Sequence, residues 1–343
     1  MKSRVILQCG LCAALILPAG LAVAQQPNNA QSRRGYATDY FEGFDAVDKD
    51  ERIPQKERSF WFSVSADTPK AQLEYARGRE KAGELNSARK GYEALVREWP
   101  TAPEAVEAQY AIGQVQEKRG KYSDAFDQYQ YMLVHYAGNC PYYEVLDREY
   151  RVANYLLHNN TSMFGWALSG LSTIREKFEL IVRNAPRSPI APEVLLTIGG
   201  IREADDEPKE AIQVYDGLLN RFPATPQAER AAYLTAKCRH DLAMKYTENE
   251  ARCREAVAFY KALLERRPNH PQKADLLAWQ KDLQNLLVEQ NYNNAVFYDS
   301  RQRSLDASKA AYKRFLSEFG DSKYAPQVKA RLKALESGAA PLK

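Results

Sequence analysis

One arrangement of small, aromatic and apolar residues recurs six times along an otherwise polar chain. It runs small residue, three positions, aromatic, two positions, apolar, four positions, helix stop. The copies are Ala88, Tyr92, Leu95, Pro100; Ala125, Tyr129, Met132, Ala137; Ile174, Phe178, Ile181, Pro186; Ala211, Tyr215, Leu218, Pro223; Ala256, Tyr260, Leu263, Pro268; and Ser308, Tyr312, Phe315, Gly320. Steps of four and three place these side chains on one stripe of a helix, and a following Pro or Gly ends it. Each copy therefore predicts a helix with one buried stripe. In three copies a further small residue stands twelve positions before the first element, at Ala76, Gly113 and Gly199. A preceding helix can approach closely there, so each unit is read as a helical hairpin.

The aromatic residues follow one another at intervals of 37, 49, 37, 45 and 52 residues, and two of these lie near the ~34-residue tetratricopeptide period. The expected fold is an all-α, right-handed superhelical solenoid of about six helical hairpins of the tetratricopeptide type, spanning residues 69–336. The longer intervals hold helix-compatible sequence at Tyr143 to His158 and Ala274 to Arg301, read as lengthened first helices. Gly138-Asn139-Cys140-Pro141 and Asn159-Asn160-Thr161-Ser162 are read as loops that accompany them.

Outside the repeats, residues 1–24 read as an export signal, with an uncleaved membrane anchor as the alternative: Lys2 and Arg4 precede an apolar run, and Ala22-Val23-Ala24 offers a cleavage site before Gln25. Residues 25–68 are expected to form a flexible arm, polar but carrying Tyr36, Tyr40, Phe41, Phe44 and Phe60-Trp61-Phe62. Residues 337–343 are read as a disordered tail. The composition, 45% hydrophobic and 27% charged, suits a folded chain, and a net charge of +4 is too small for a general nucleic-acid binder. Three of five cysteines, Cys140, Cys238 and Cys253, follow the signal. Cys238 and Cys253 stand at offsets from their likely turn that differ by about five residues, roughly 7 Å of helical rise, which weighs against a disulfide between them.

Known catalytic spacings are missing: there is no G-x4-G-K, G-x-G-x-x-G or H-E-x-x-H. His135, His158, His240 and His270 are scattered and read as solvated or capping residues. No catalytic residue, cofactor site or metal site is expected. Stacked hairpins instead present an extended face to partner proteins. On the first helices of units one and two, the stripe beside the small packing residues is Leu73, Arg77, Glu80 and Tyr110, Gln114, Glu117. Its mixture of charged, polar and aromatic types makes it the candidate partner-binding surface, although a solvated helix face has a similar composition. From Arg301 to Lys343 there are ten basic and four acidic residues, an excess that suits peripheral contact with anionic lipid or simply a solubilising surface.

With these features in place, residues 60 to 336 resemble the tetratricopeptide subunit of the outer-membrane β-barrel assembly machinery, the BamD-like family. The phrases that carry the resemblance are Glu98-Trp99-Pro100-Thr101-Ala102-Pro103, Asn184 to Pro192, Arg221 to Ala228 and Ala295-Val296-Phe297-Tyr298. The resemblance implies a periplasmic scaffold that contacts the assembly barrel protein. It also implies that the N-terminal units receive C-terminal segments of unfolded outer-membrane proteins. The leader departs from that family. Cys9 follows Gln8 and Cys12 follows Leu11, so neither has the small residue before it that lipid attachment needs, and release in soluble form is expected. Two other functions fit the residues: a periplasmic adaptor for cell-wall, division or Tol-Pal-like machinery, and an enzyme without a recognisable motif.

Overall fold

A computed structural model describes residues 64–162, 170–301 and 304–338. The expected export signal, residues 1–24, and all but the end of the expected arm, residues 25–68, lie outside the described residues. Among the described residues there are thirteen helices and no strand. They form six successive hairpins. These are α1 (Pro69–Lys81) with α2 (Leu85–Glu98), α3 (Pro103–Lys118) with α4 (Tyr122–His135), α5 (Tyr142–Ser162) with α6 (Leu171–Asn184), α7 (Ala191–Ala204) with α8 (Pro208–Arg221), α9 (Pro226–Lys245) with α10 (Glu250–Arg266), and α11 (Lys273–Arg301) with α12 (Leu305–Phe319). A last helix, α13 (Ala325–Glu336), packs on α12.

Helix boundaries follow local chemistry. The Thr68 side chain accepts from Ala71 N, and Thr225 from Ala228 N, so each caps a first helix that opens with proline. Pro100, Pro223 and Pro268 stand just beyond the second helices that they close. Within the hairpins of units one, two and four the chain turns through a left-handed residue nine positions before the repeat tyrosine. These are Gly83 (φ +78°), Gly120 (φ +71°) and Asp206 (φ +58°).

The small, aromatic and apolar positions of all six copies are buried, and Tyr92, Tyr129, Tyr215, Tyr260 and Tyr312 are among the largest fully buried side chains. Gly113 and Gly199 explain how a tyrosine fits between paired helices. A Cβ at either position would stand 2.3 or 2.1 Å from the Cε1 atom of Tyr129 or Tyr215. Buried Gln72 and Gln109 also recur: each donates to a backbone carbonyl of its second helix, Gly91 O at 2.9 Å and Gln128 O at 3.0 Å. The core falls into three clusters, from Leu73 to Cys238, from Ala232 to Leu287 and from Ala295 to Leu335.

The structure corrects one expected loop. Asn159 to Ser162 belongs to α5, because the Asn159 side chain donates to Tyr155 O at 2.8 Å and stays within the helix instead of leaving it. No described helix is long and apolar enough to cross a membrane.

Candidate functional site: the first-helix face and its edge groove

A polar trio repeats along the stack. Tyr92 Oη donates to Glu80 Oε2 at 2.7 Å, and Lys118 from the next hairpin lies 2.6 Å from Glu80 Oε1. Tyr129 donates to Glu117, which also pairs with Arg148 of α5 at 3.3 Å. Tyr215 donates to Glu203 at 2.6 Å, and Lys237 of α9 completes that trio at 3.3 Å. The fourth lies at the end of the stack. There Tyr312 donates to Asp299 at 3.0 Å, and Arg331 of α13 forms a two-pronged pair with the same carboxylate. Each trio joins a second helix, its own first helix and the following helix of the stack.

Electrostatics explains why both charges persist. Burial opposes the charge on Glu80, yet the Lys118 ammonium and the Tyr92 hydroxyl hold its carboxyl below the usual range. Burial first, and the facing carboxylate second, push the Tyr92 and Tyr129 hydroxyls far above their ordinary value. The tyrosines therefore stay protonated and act as donors.

The predicted partner-binding residues divide between core and surface. Leu73 is 4% exposed and belongs to the core, because its position on α1 faces α2 and not solvent. Glu80 and Glu117 carry the trios just described, a role that sequence reasoning missed. The signal was present in the sequence: Glu80, Glu117 and Glu203 each stand twelve residues before their tyrosine. Arg77 is half exposed and pairs with Glu107 at 2.5 Å across α1 and α3. Tyr110 donates to Glu144, accepts from Arg148 Nε at 3.0 Å and lies beneath that guanidinium. Gln114 is partly buried on the same helix.

Beside this face lies a groove of about 660 Å³, within the roughly 300–1,000 Å³ that holds a small molecule or a few side chains. Pro100, Pro103, Val106 and Tyr110 form one wall, and Met132, Tyr136 and Pro141 the other. Tyr136 Oη closes the floor by donating to Pro100 O at 2.9 Å. Glu107 also borders the groove, so the Arg77–Glu107 pair joins it to the first-helix face. A second groove, about 470 Å³, lies at the corresponding place between the α8–α9 and α10–α11 loops.

Of the two roles expected of it, solvated or capping, His270 does not take the solvated one. It is 4% exposed, and its Nδ1 accepts from Gln272 N at 3.1 Å, which shapes the loop before α11. His240 stacks on Trp279 in the middle of the α9 face. Among the described residues the three cysteines are free: Cys238 and Cys253 are both buried, and burial pushes the Cys238 thiol up to about 12. In the basic C-terminal segment, Arg331 is bound to Asp299 and Lys313 pairs with Glu336 at 3.3 Å.

The described chain is an all-α solenoid of the tetratricopeptide type, defined by its consecutive hairpins, invariant buried stripe and small residue facing the aromatic. No family model matches the chain, and no curated protein matches its sequence. Among solved structures it is similar to a thermophilic tetratricopeptide protein of Thermus thermophilus, with 17% identity over 63% of this chain and 98% of that one, at a TM-score of 0.30. It is also similar to a tetratricopeptide repeat protein of Parabacteroides merdae, with 16% identity, 78% and 98% coverage and a TM-score of 0.32. The pilF protein of Pseudomonas aeruginosa shares 14% identity over 77% and 97%, at a TM-score of 0.27.

Proposed function

We propose that the protein is a non-catalytic scaffold of the cell envelope that holds extended segments of other proteins. The observation that carries this reading is the meeting of the first-helix face with the edge groove at Arg77, Glu107 and Tyr110. A guanidinium pairs with a carboxylate through parallel hydrogen bonds, while a tyrosine ring and proline walls cover an apolar side chain. A peptide ending in phenylalanine offers both groups, and its carboxylate would take the place of Glu107 on Arg77.

The export leader and the family resemblance support a periplasmic place, at the outer membrane, in the assembly of β-barrel proteins. The assembly barrel component and the C-terminal segments of its clients are then the partners. Titration of a labelled peptide ending in Phe tests the site: Arg77→Ala and Tyr110→Ala are each expected to weaken binding by roughly tenfold, the value of a charge-assisted contact. Equal affinities for all three proteins, or no binding to wild type, sink it. Copurification of the native protein tests the setting, and recovery of cell-wall or division partners without the barrel component overturns the assembly reading.

A further inference from the structure

Glu149 is a residue that the hairpin packing leaves without a purpose. It lies inside α5 with none of its surface exposed, and neither carboxyl oxygen meets a donor from the described chain. The groups that face it come from both neighbouring helices and its own. Gln130 of α4 approaches it, and the Nε2 atom of that side chain also lacks a partner. Lys177 of α6 is the nearby cation, but its Nζ is already 3.0 Å from Asp127 Oδ1 of α4 and 4.5 Å above the Phe126 ring. Tyr142, in the first turn of α5, contributes a phenol. A carboxylate in such a place is strongly disfavoured. Burial pushes the Glu149 carboxyl well above the ordinary range, against the opposing pull of Gln130 and Lys177.

We propose that Glu149 is a proton-held clasp at the junction of α4, α5 and α6: neutral, it lets the three helices close, and ionised, it parts them. The consequence reaches the edge groove without depending on any partner. Helix α5 brings Glu144 and Arg148 to Tyr110, and the residue before it, Pro141, lines the groove. Parting α5 from α4 therefore draws Pro141 away from the groove and releases Tyr110 from Glu144 and Arg148.

The direction with pH follows from proton counting. An opened junction gives up the Glu149 proton near the ordinary glutamate value, about 4.3, whereas the closed junction keeps it. Above that value the closed form binds more protons, so opening becomes easier as pH rises, by up to about tenfold per pH unit, until the carboxyl ionises in place.

The test is amide exchange in α4 to α6 of the full chain, corrected for intrinsic rates, between about pH 5 and 8. In wild type, protection is expected to fall with pH by up to about tenfold per unit, while in Glu149→Gln, which keeps the shape without the charge, it stays level. Superimposable profiles overturn the clasp. An infrared measurement on wild type decides the matter even if the variant fails to fold. A protonated-carboxyl band at neutral pH is expected, and its absence overturns the proposal.

Discussion

A methyl group at Gly199 would stand 2.1 Å from Cε1 of Tyr215, whereas one at the next residue, Gly200, meets nothing within 4 Å. The tyrosine cannot yield, because its ring is fully buried and its hydroxyl is tied to Glu203. Gly199→Ala is expected to cost about 1–3 kcal/mol of stability through overpacking. Gly200→Ala gains up to about 1 kcal/mol from helix propensity. Chemical denaturation of the two variants checks this, and a similar shift in both means that the ring is not held. The sequence made Gly199 legible because a small residue recurs at a fixed distance from the repeat aromatic. Glu80 and Glu117 were harder. On a single helix they look like solvated carboxylates; the twelve-residue spacing to a tyrosine was there to be read, but the cation that completes each trio comes from a third helix.

At the scale of the element, second helices could be read closely because each carries a stripe and a stop on one helix. First helices were harder to delimit: α5 runs through an Asn-rich stretch that composition marks as a loop. The last helix shows what a single pair can do. Asp299 has no exposed side-chain surface, and Arg331 of α13 meets it with two nitrogens at 2.7 and 3.1 Å. Removing the cation strands a buried carboxylate, a loss of about 3 kcal/mol or more. Arg331→Ala is therefore expected to free α13, read as new protease cleavage between Gly320 and Glu336 with the earlier helices intact. Unchanged resistance to cleavage means that packing of Val328 and Leu335 suffices to dock the helix.

Over the whole molecule, stability is distributed because each hairpin meets mainly its neighbours. Helix α11 is where two cores meet: Leu276, Leu283 and Leu287 belong to the second cluster, and Ala295 to the third. Glu289 lies between them on the exposed side. Glu289→Pro breaks that helix at a cost of about 3 kcal/mol and is expected to raise amide exchange in α12 and α13 while leaving α1 to α8 unchanged. Uniform loss of protection along the chain instead implies one cooperative unit. The repeat made the order of hairpins legible from sequence, but not the division of the core, which depends on which face of a long helix each neighbour covers.

The unpaired cysteines turn the protein into its own reporter. Cys238 and Cys253 are buried, whereas Cys140 is partly open in the loop directly before Pro141, a wall residue of the edge groove. Thiolates are the reactive species, and burial raises the Cys140 thiol as well as the Cys238 thiol, which stands at about 12; of these three, Cys140 is the one that a reagent can reach. A thiol-directed fluorophore thus has a natural address at the groove, and occupancy there becomes visible as a change of light without any engineered label.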